Sequence, residues 1–143
     1  MFDKEQRDYI TRARIGRLST ADGDGRPHLV PVCFSFLDET IVTPIDEKPK
    51  KRSPTTLQRS QDINENSRVA LLIDHYTEDW SKLGWVQIRG TATHLLPNEP
   101  DHAPAVFSLR QKYEQYANHE LEERPIIRIT PGSVLTWGEL THQ

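Results

Sequence analysis

The chain has 143 residues, with 18 Lys and Arg against 21 Asp and Glu, a formal net charge of −3 and a single cysteine. That length suits one domain, residues 1–143, around one core, and a lone thiol excludes an internal disulfide or a thiolate metal cluster. No apolar run is long enough to cross a bilayer, and Met1-Phe2-Asp3-Lys4 opens a polar stretch, so the sequence predicts a cytoplasmic protein with no membrane partner.

Phe2, Tyr9, Ile10 and Ala13 recur at helical spacing behind Asp3, which predicts a short amphipathic helix capped by that aspartate. Residues 14–20 read as a strand, residues 21–27 as a turn rich in Gly and Asp, and residues 28–36 as the returning strand of a hairpin. Cys33, in an apolar stretch, reads as a small core residue. Asp38-Glu39 predicts a tight connection to a third strand, residues 40–45, which delivers the chain into an unusual segment. Lys48, Lys50, Lys51, Arg52 and Arg59 follow with no acid among them. Setting those five aside leaves 13 cations for 21 acids, so a basic patch stands in an otherwise acidic chain. Ser53-Pro54 has the chemistry of a helix opening, with the helix expected from about Pro54 to Asn64. A helix N-terminus inside a basic run suits an anion such as a phosphate, although a basic run taken alone reads more readily as a solvated loop.

Residues 68–76 contain five consecutive apolar side chains, predicting a strand buried on both faces. A polar connection with Trp80 leads to residues 84–96, long enough to bend across two sides of a barrel, with Gly90 as the bend or bulge. Asp101 is the expected cap of a further helix presenting Val106, Leu109, Tyr113, Tyr116 and Ala117 to the core, with Lys112 a cation of no special role. Residues 125–130 and 133–137 read as two strands around a Pro131-Gly132 turn. About six antiparallel strands with a few short helices give a mainly β fold, a small barrel. The six histidines are scattered without ligand spacing, and no metal is assigned.

The order of three pieces carries a resemblance: Arg14-Ile15-Gly16-Arg17-Leu18-Ser19-Thr20, then Asp24-Gly25-Arg26-Pro27-His28-Leu29-Val30-Pro31-Val32, then Ile45-Asp46-Glu47-Lys48-Pro49-Lys50. Together with Trp80 and Trp85-Val86-Gln87-Ile88-Arg89-Gly90-Thr91-Ala92, this is similar to the pyridoxamine 5′-phosphate oxidase-like flavoproteins, the FMN-binding split β-barrels. It most resembles their small, coenzyme F420 (deazaflavin)-dependent branch. The resemblance implies a homodimer with cofactor clefts between protomers and hydride transfer to a small unsaturated or quinone-like molecule. It places the cofactor's anionic tail on Lys48, Lys50 and Arg59, with Lys51 and Arg52 adjacent. It sets the ring beside Pro31, Val32, Ile45 and Asp46, and walls the pocket with Trp80, Trp85 and Arg89, from the same protomer or its partner. Trp85 suits an ordinary core aromatic equally well, Arg89 a surface strand charge, and Trp80 a loop packed on its own subunit. The ending Trp137-Gly138-Glu139-Leu140-Thr141-His142-Gln143 lacks the substrate-binding segment of true pyridoxamine-phosphate oxidases, which argues against that activity. FMN is the alternative cofactor. The cofactor supplies the chemistry in such enzymes, and no catalytic acid, base or nucleophile is assigned: His75 and Tyr76 read as structural. A non-catalytic binder of a flavin, F420 or a tetrapyrrole is the second reading. A nucleic-acid binder is disfavoured by the acidic balance and by a basic run without interleaved aromatics.

Overall fold

The computed structural model describes residues 1–45 and 57–141. Its first helix, α1 (Lys4–Arg12), opens on a reciprocal cap in which the Asp3 carboxylate accepts from the Gln6 amide and the Gln6 side chain accepts from the Asp3 amide. The spacing then buries Phe2, Tyr9, Ile10 and Ala13 together.

Seven antiparallel strands follow: β1 (Gly16–Ala21), β2 (Pro27–Val32), β3 (Ser35–Leu37), β4 (Thr40–Pro44), β5 (Arg68–His75), β6 (Gly84–Leu95) and β7 (Ile126–Gly138). They form one sheet in the order β2-β1-β5-β6-β7-β4-β3, curled into a split half-barrel, with α2 (Gln58–Glu65) and α3 (His102–Lys112) the other α-helices among the described residues. The barrel's core holds Leu18, Phe34, Ile41, Leu71, Ile73, Val86, Ile88 and Ile129, all essentially inaccessible, and a second cluster seats α3 through Ala105, Val106 and Leu109 against Val42, Leu95 and Ile126.

Several expectations are corrected. Residues 28–36 are two strands lying on opposite edges of the sheet. The chain breaks at Cys33-Phe34 because side chains there replace the ladder. The Tyr113 hydroxyl accepts from the Phe34 amide at 3.0 Å and lies 3.0 Å from the Phe34 and Arg14 carbonyls, while Thr43 donates to the Cys33 carbonyl at 2.7 Å. Cys33 itself is half-buried. Asp38 and Glu39, with φ of 50° and 63°, make the two-residue turn into β4 that the sequence predicts.

β5 is not sealed on both sides: Val69, Leu71 and Ile73 face the core, whereas Ala70 and Leu72 are only half-buried on the outer face. The predicted Pro131-Gly132 hairpin is one continuous strand, β7, paired along the whole of β6. Its register slips between Arg89 and Gly90, leaving Gly132 as the extra residue of a bulge. Gly90 is the residue that permits this, since a Cβ there would stand 2.1 Å from the Thr130 carbonyl oxygen. Asp101 precedes α3 but makes no capping bond; its carboxylate takes Arg128 at 3.0 Å instead.

Candidate functional site

The segment that carries the basic run is bracketed by two moored ends. Ile45 is buried in the same core cluster as Val32 and Ile63, and Leu57 packs against it from the other end. Helix α2 begins at Gln58, about one turn later than expected, with extended Leu57 at its N-cap position and no side-chain cap. What fixes α2 is polar. The wholly buried Asp62 carboxylate accepts from Thr20 Oγ1 at 2.6 Å and from Gln58 Nε2 at 2.8 Å, and it meets His28 Nδ1 at 2.8 Å. Burial alone would raise its pKa, but the bonds from Thr20, Gln58 and His28 outweigh that and hold it below the usual carboxylate value. Ser60 adds a 2.9 Å bond to His94 Nε2, whose pKa burial lowers, and Glu65 accepts from the Gly23 amide at 2.8 Å. The helix that follows the segment in sequence is thus pinned to β1, β2 and β6.

On the sheet's outer face the register builds three transverse rows. Leu29, Ser19, Ala70, Arg89 and Ser133 form one; Pro31, Arg17, Leu72, Gln87 and Leu135 the next; Asp74, Trp85 and Trp137 the third. Leu29, Leu135 and Trp137 are exposed, so this face is unusually apolar for one that faces solvent. At the first row a groove of about 490 Å³ is lined by Ser19, Ala21, Pro27, Arg68, Arg89 and Ser133, among others. Apolar walls, four hydroxyl residues (Ser19, Thr20, Thr91 and Ser133) and two guanidinium groups suit a planar molecule with polar edges.

A protein-family model for pyridoxamine 5′-phosphate oxidase matches residues 2–138. The chain belongs to that family. This family member is 28% identical, over 138 residues covering 96% of the chain and 83% of the relative, to the 5a,11a-dehydrotetracycline/5a,11a-dehydrooxytetracycline reductase of Streptomyces rimosus subsp. rimosus. Among solved structures it is similar to HutZ, the haem storage protein of Vibrio cholerae, with a TM-score of 0.73, 12% identity and 94% of each chain covered. It is also similar to an F420 reductase, with a TM-score of 0.65, 20% identity, and 90% and 94% of the two chains covered. These likenesses show the split-barrel fold.

Of the site residues that the resemblance implies, Asp46, Lys48, Lys50, Lys51 and Arg52 lie outside the described residues, as do Ser53 and Pro54. Val32 and Ile45 turn their side chains into the core, so only their backbones are open to a ligand. Pro31 stands on the outer face, exposed at the sheet's edge strand. Arg59 is half-buried on α2. Trp85 and Arg89 share the outer face of β6, and Arg89 alone of the described candidates lines the 490 Å³ groove, its Nε donating to Gln87 at 3.0 Å. Trp80 stands apart, 70% exposed on the turn before β6, donating weakly to the Tyr76 hydroxyl at 3.3 Å. His75 is structural: Nδ1 meets the Tyr9 hydroxyl at 2.8 Å and Nε2 the Lys82 carbonyl at 2.5 Å.

Sequence reading missed Trp137, Leu135 and Arg68. The first two share a parity within residues 133–137, but which strands that face lies beside is set only by the pairing with β6. It also misjudged Lys112. The Lys112 Nζ is buried with no hydrogen-bond partner, 4.0 Å from the Phe34 ring centroid and 5.4 Å from that of Tyr113. Burial, with the charge of Arg14 adding to it, pushes its pKa down to about 8.

Proposed function

We propose that the protein is an F420-dependent oxidoreductase that exchanges a hydride with a small unsaturated or quinone-like molecule, working as a homodimer. The observation that carries this reading is the cation-rich stretch from Lys48 to Arg59, in a chain of this family, held between ends that pack into one core cluster. Five cations are more than one phosphate requires, and they suit a deazaflavin with a polyanionic tail better than FMN. A relative that reduces a dehydrotetracycline supports an unsaturated substrate.

In this reading Lys48, Lys50, Lys51, Arg52 and Arg59 bind the tail, and the backbone at Pro31-Val32 and Ile45-Asp46 borders the ring. The outer-face groove fits the polar edge of such a ring through Arg89 and its neighbouring hydroxyls, with Trp85 beside it. The outer face of one protomer therefore forms the second wall of its partner's cleft. The exposed Leu135 and Trp137 are the apolar contact that a two-fold interface needs. Bound there, F420 supplies the hydride chemistry; the protein orients the ring and excludes water. The second reading, a cofactor binder without turnover, shares this site.

The test is to titrate F420 and FMN by fluorescence at several salt concentrations. F420 is expected to bind tighter; FMN tighter by tenfold, about 1.4 kcal/mol, assigns the flavin instead. Lys50→Ala should cost about 1.5–3 kcal/mol of cofactor binding, whereas Lys4→Ala, on the exposed side of α1, should cost none. Equal losses would replace the local tail site with general electrostatics.

A further inference from the structure

A second groove, of about 790 Å³, lies where the end of α1, its connection to β1, the end of β5 and the C-terminal turn meet. Its lining includes Arg12, Arg14, Ile15, Arg17, Asp74 and Thr141. Three arginines within six residues of sequence thus face one carboxylate among the described lining residues, in a chain whose net charge is −3.

Each guanidinium is held in place without being used up. Arg12 donates one N–H to the Leu140 carbonyl at 2.7 Å. Arg14 donates one to the Lys112 carbonyl at 2.8 Å and stacks 4.7 Å over the Tyr113 ring. Arg17 Nε reaches Asp74 Oδ1 at 3.3 Å, both side chains being substantially exposed. A guanidinium carries five N–H donors, so most of the donors remain for a ligand, and three anchored forks lose little side-chain entropy on binding it. The acid nearest in sequence to Thr141, Glu139, accepts from the Thr141 amide and hydroxyl. Ile15, 45% exposed, gives the groove one apolar wall.

We infer that this groove is an anion-binding site, separate from the basic segment after β4, for a compact ligand with two or more negative charges such as a phosphate ester or a di- or tricarboxylate. Carboxylates and phosphates both match the fork geometry of arginine, so the probes are inorganic pyrophosphate and citrate. Each is titrated calorimetrically against the intact protein at two salt concentrations. Saturable binding that weakens with salt is expected. Arg17→Gln should weaken it about twofold to fivefold, and Asp74→Asn, which removes the competing carboxylate, should tighten it by a similar factor. Arg128→Gln, whose partner is Asp101 on another part of the surface, should change nothing. The gain in Asp74→Asn is a result that misfolding cannot imitate. Binding without saturation, no gain in Asp74→Asn, or equal losses in Arg17→Gln and Arg128→Gln would overturn the assignment. A stronger response to pyrophosphate than to citrate identifies phosphate as the preferred group, and the reverse identifies carboxylate.

Discussion

Lys112→Met removes an ammonium that the fold buries without a hydrogen-bond partner. The lysine pKa falls from 10.5 to about 8, first through burial and then through the Arg14 charge. Between those values the unfolded chain binds a proton that the folded chain does not, so wild-type stability rises as pH climbs from about 8 through 10.5, and below pH 8 the folded state carries the full penalty. At about 1.4 kcal/mol per tenfold, a lowering of that size is worth roughly 3 kcal/mol. Attraction to the Phe34 and Tyr113 rings, about 0.5–2 kcal/mol, and partial solvent screening reduce what methionine can recover. Met keeps the length and the methylene packing that alanine would lose. The variant should therefore be more stable by about 1–2 kcal/mol at pH 7, about 3–6 °C in melting temperature. Urea unfolding of both proteins at pH 7, 8.5 and 10 measures the gap, with shared titrations cancelling in the difference. The gap should narrow as pH rises, because above about pH 8 the folded-state amine sheds its proton, and the cost of doing so shrinks as pH approaches the unfolded value of 10.5. A methionine variant less stable than wild type at pH 7, or a gap that is flat across pH, refutes the reasoning.

Asp62→Ala leaves the side-chain donors of Thr20, Gln58 and His28 without their acceptor and should cost about 3 kcal/mol or more by urea unfolding. Because the Asp62 pKa is lowered in the folded state, its contribution is present above the ordinary carboxylate value and is lost as pH falls through the folded one, so wild type and variant should converge in acid. Gly90→Ala drives a methyl into the Thr130 carbonyl and should destabilise by about 3 kcal/mol or prevent folding; wild-type stability in this variant would contradict the close approach. Trp137→Glu should convert a dimer to a monomer by light scattering and abolish cofactor binding with it, and a dimer that persists would move the interface off the outer face.

The strand-rich class, the capping of α1 and the Asp38-Glu39 turn were legible because each rests on local chemistry: alternation, a carboxylate three residues before its amide, a tight connection between apolar runs. The errors arose where a distant side chain decided the outcome. Nothing near residue 34 announces that Tyr113 will satisfy its backbone and split the strand. Pro131-Gly132 has the chemistry of a turn, yet β6 is long enough to hold both halves of β7 in one line, and the glycine becomes a bulge. Asp101 looked like a cap until Arg128 competed for it. At the candidate site the basic run was visible as composition, whereas the outer-face rows exist only once five strands are in register. The shared face of Leu135 and Trp137 was legible within residues 133–137, but its place beside Gln87 and Trp85 was not.

The strand order also sets when the site can exist during synthesis. β4, which ends beside Ile45, pairs with β3 and with the Ile126–Ile129 stretch of β7, near the end of the chain. A nascent chain still inside the ribosome at residue 126 has β1, β2, β5 and β6 available to one another but one flank of β4 bare. Under the proposed function, cofactor cannot guide the early steps of assembly, because Gly132 and Ser133 of β7 form one edge of the outer-face groove. A chain truncated before β7 should therefore bind no cofactor, although it keeps every basic residue from Lys48 to Arg59.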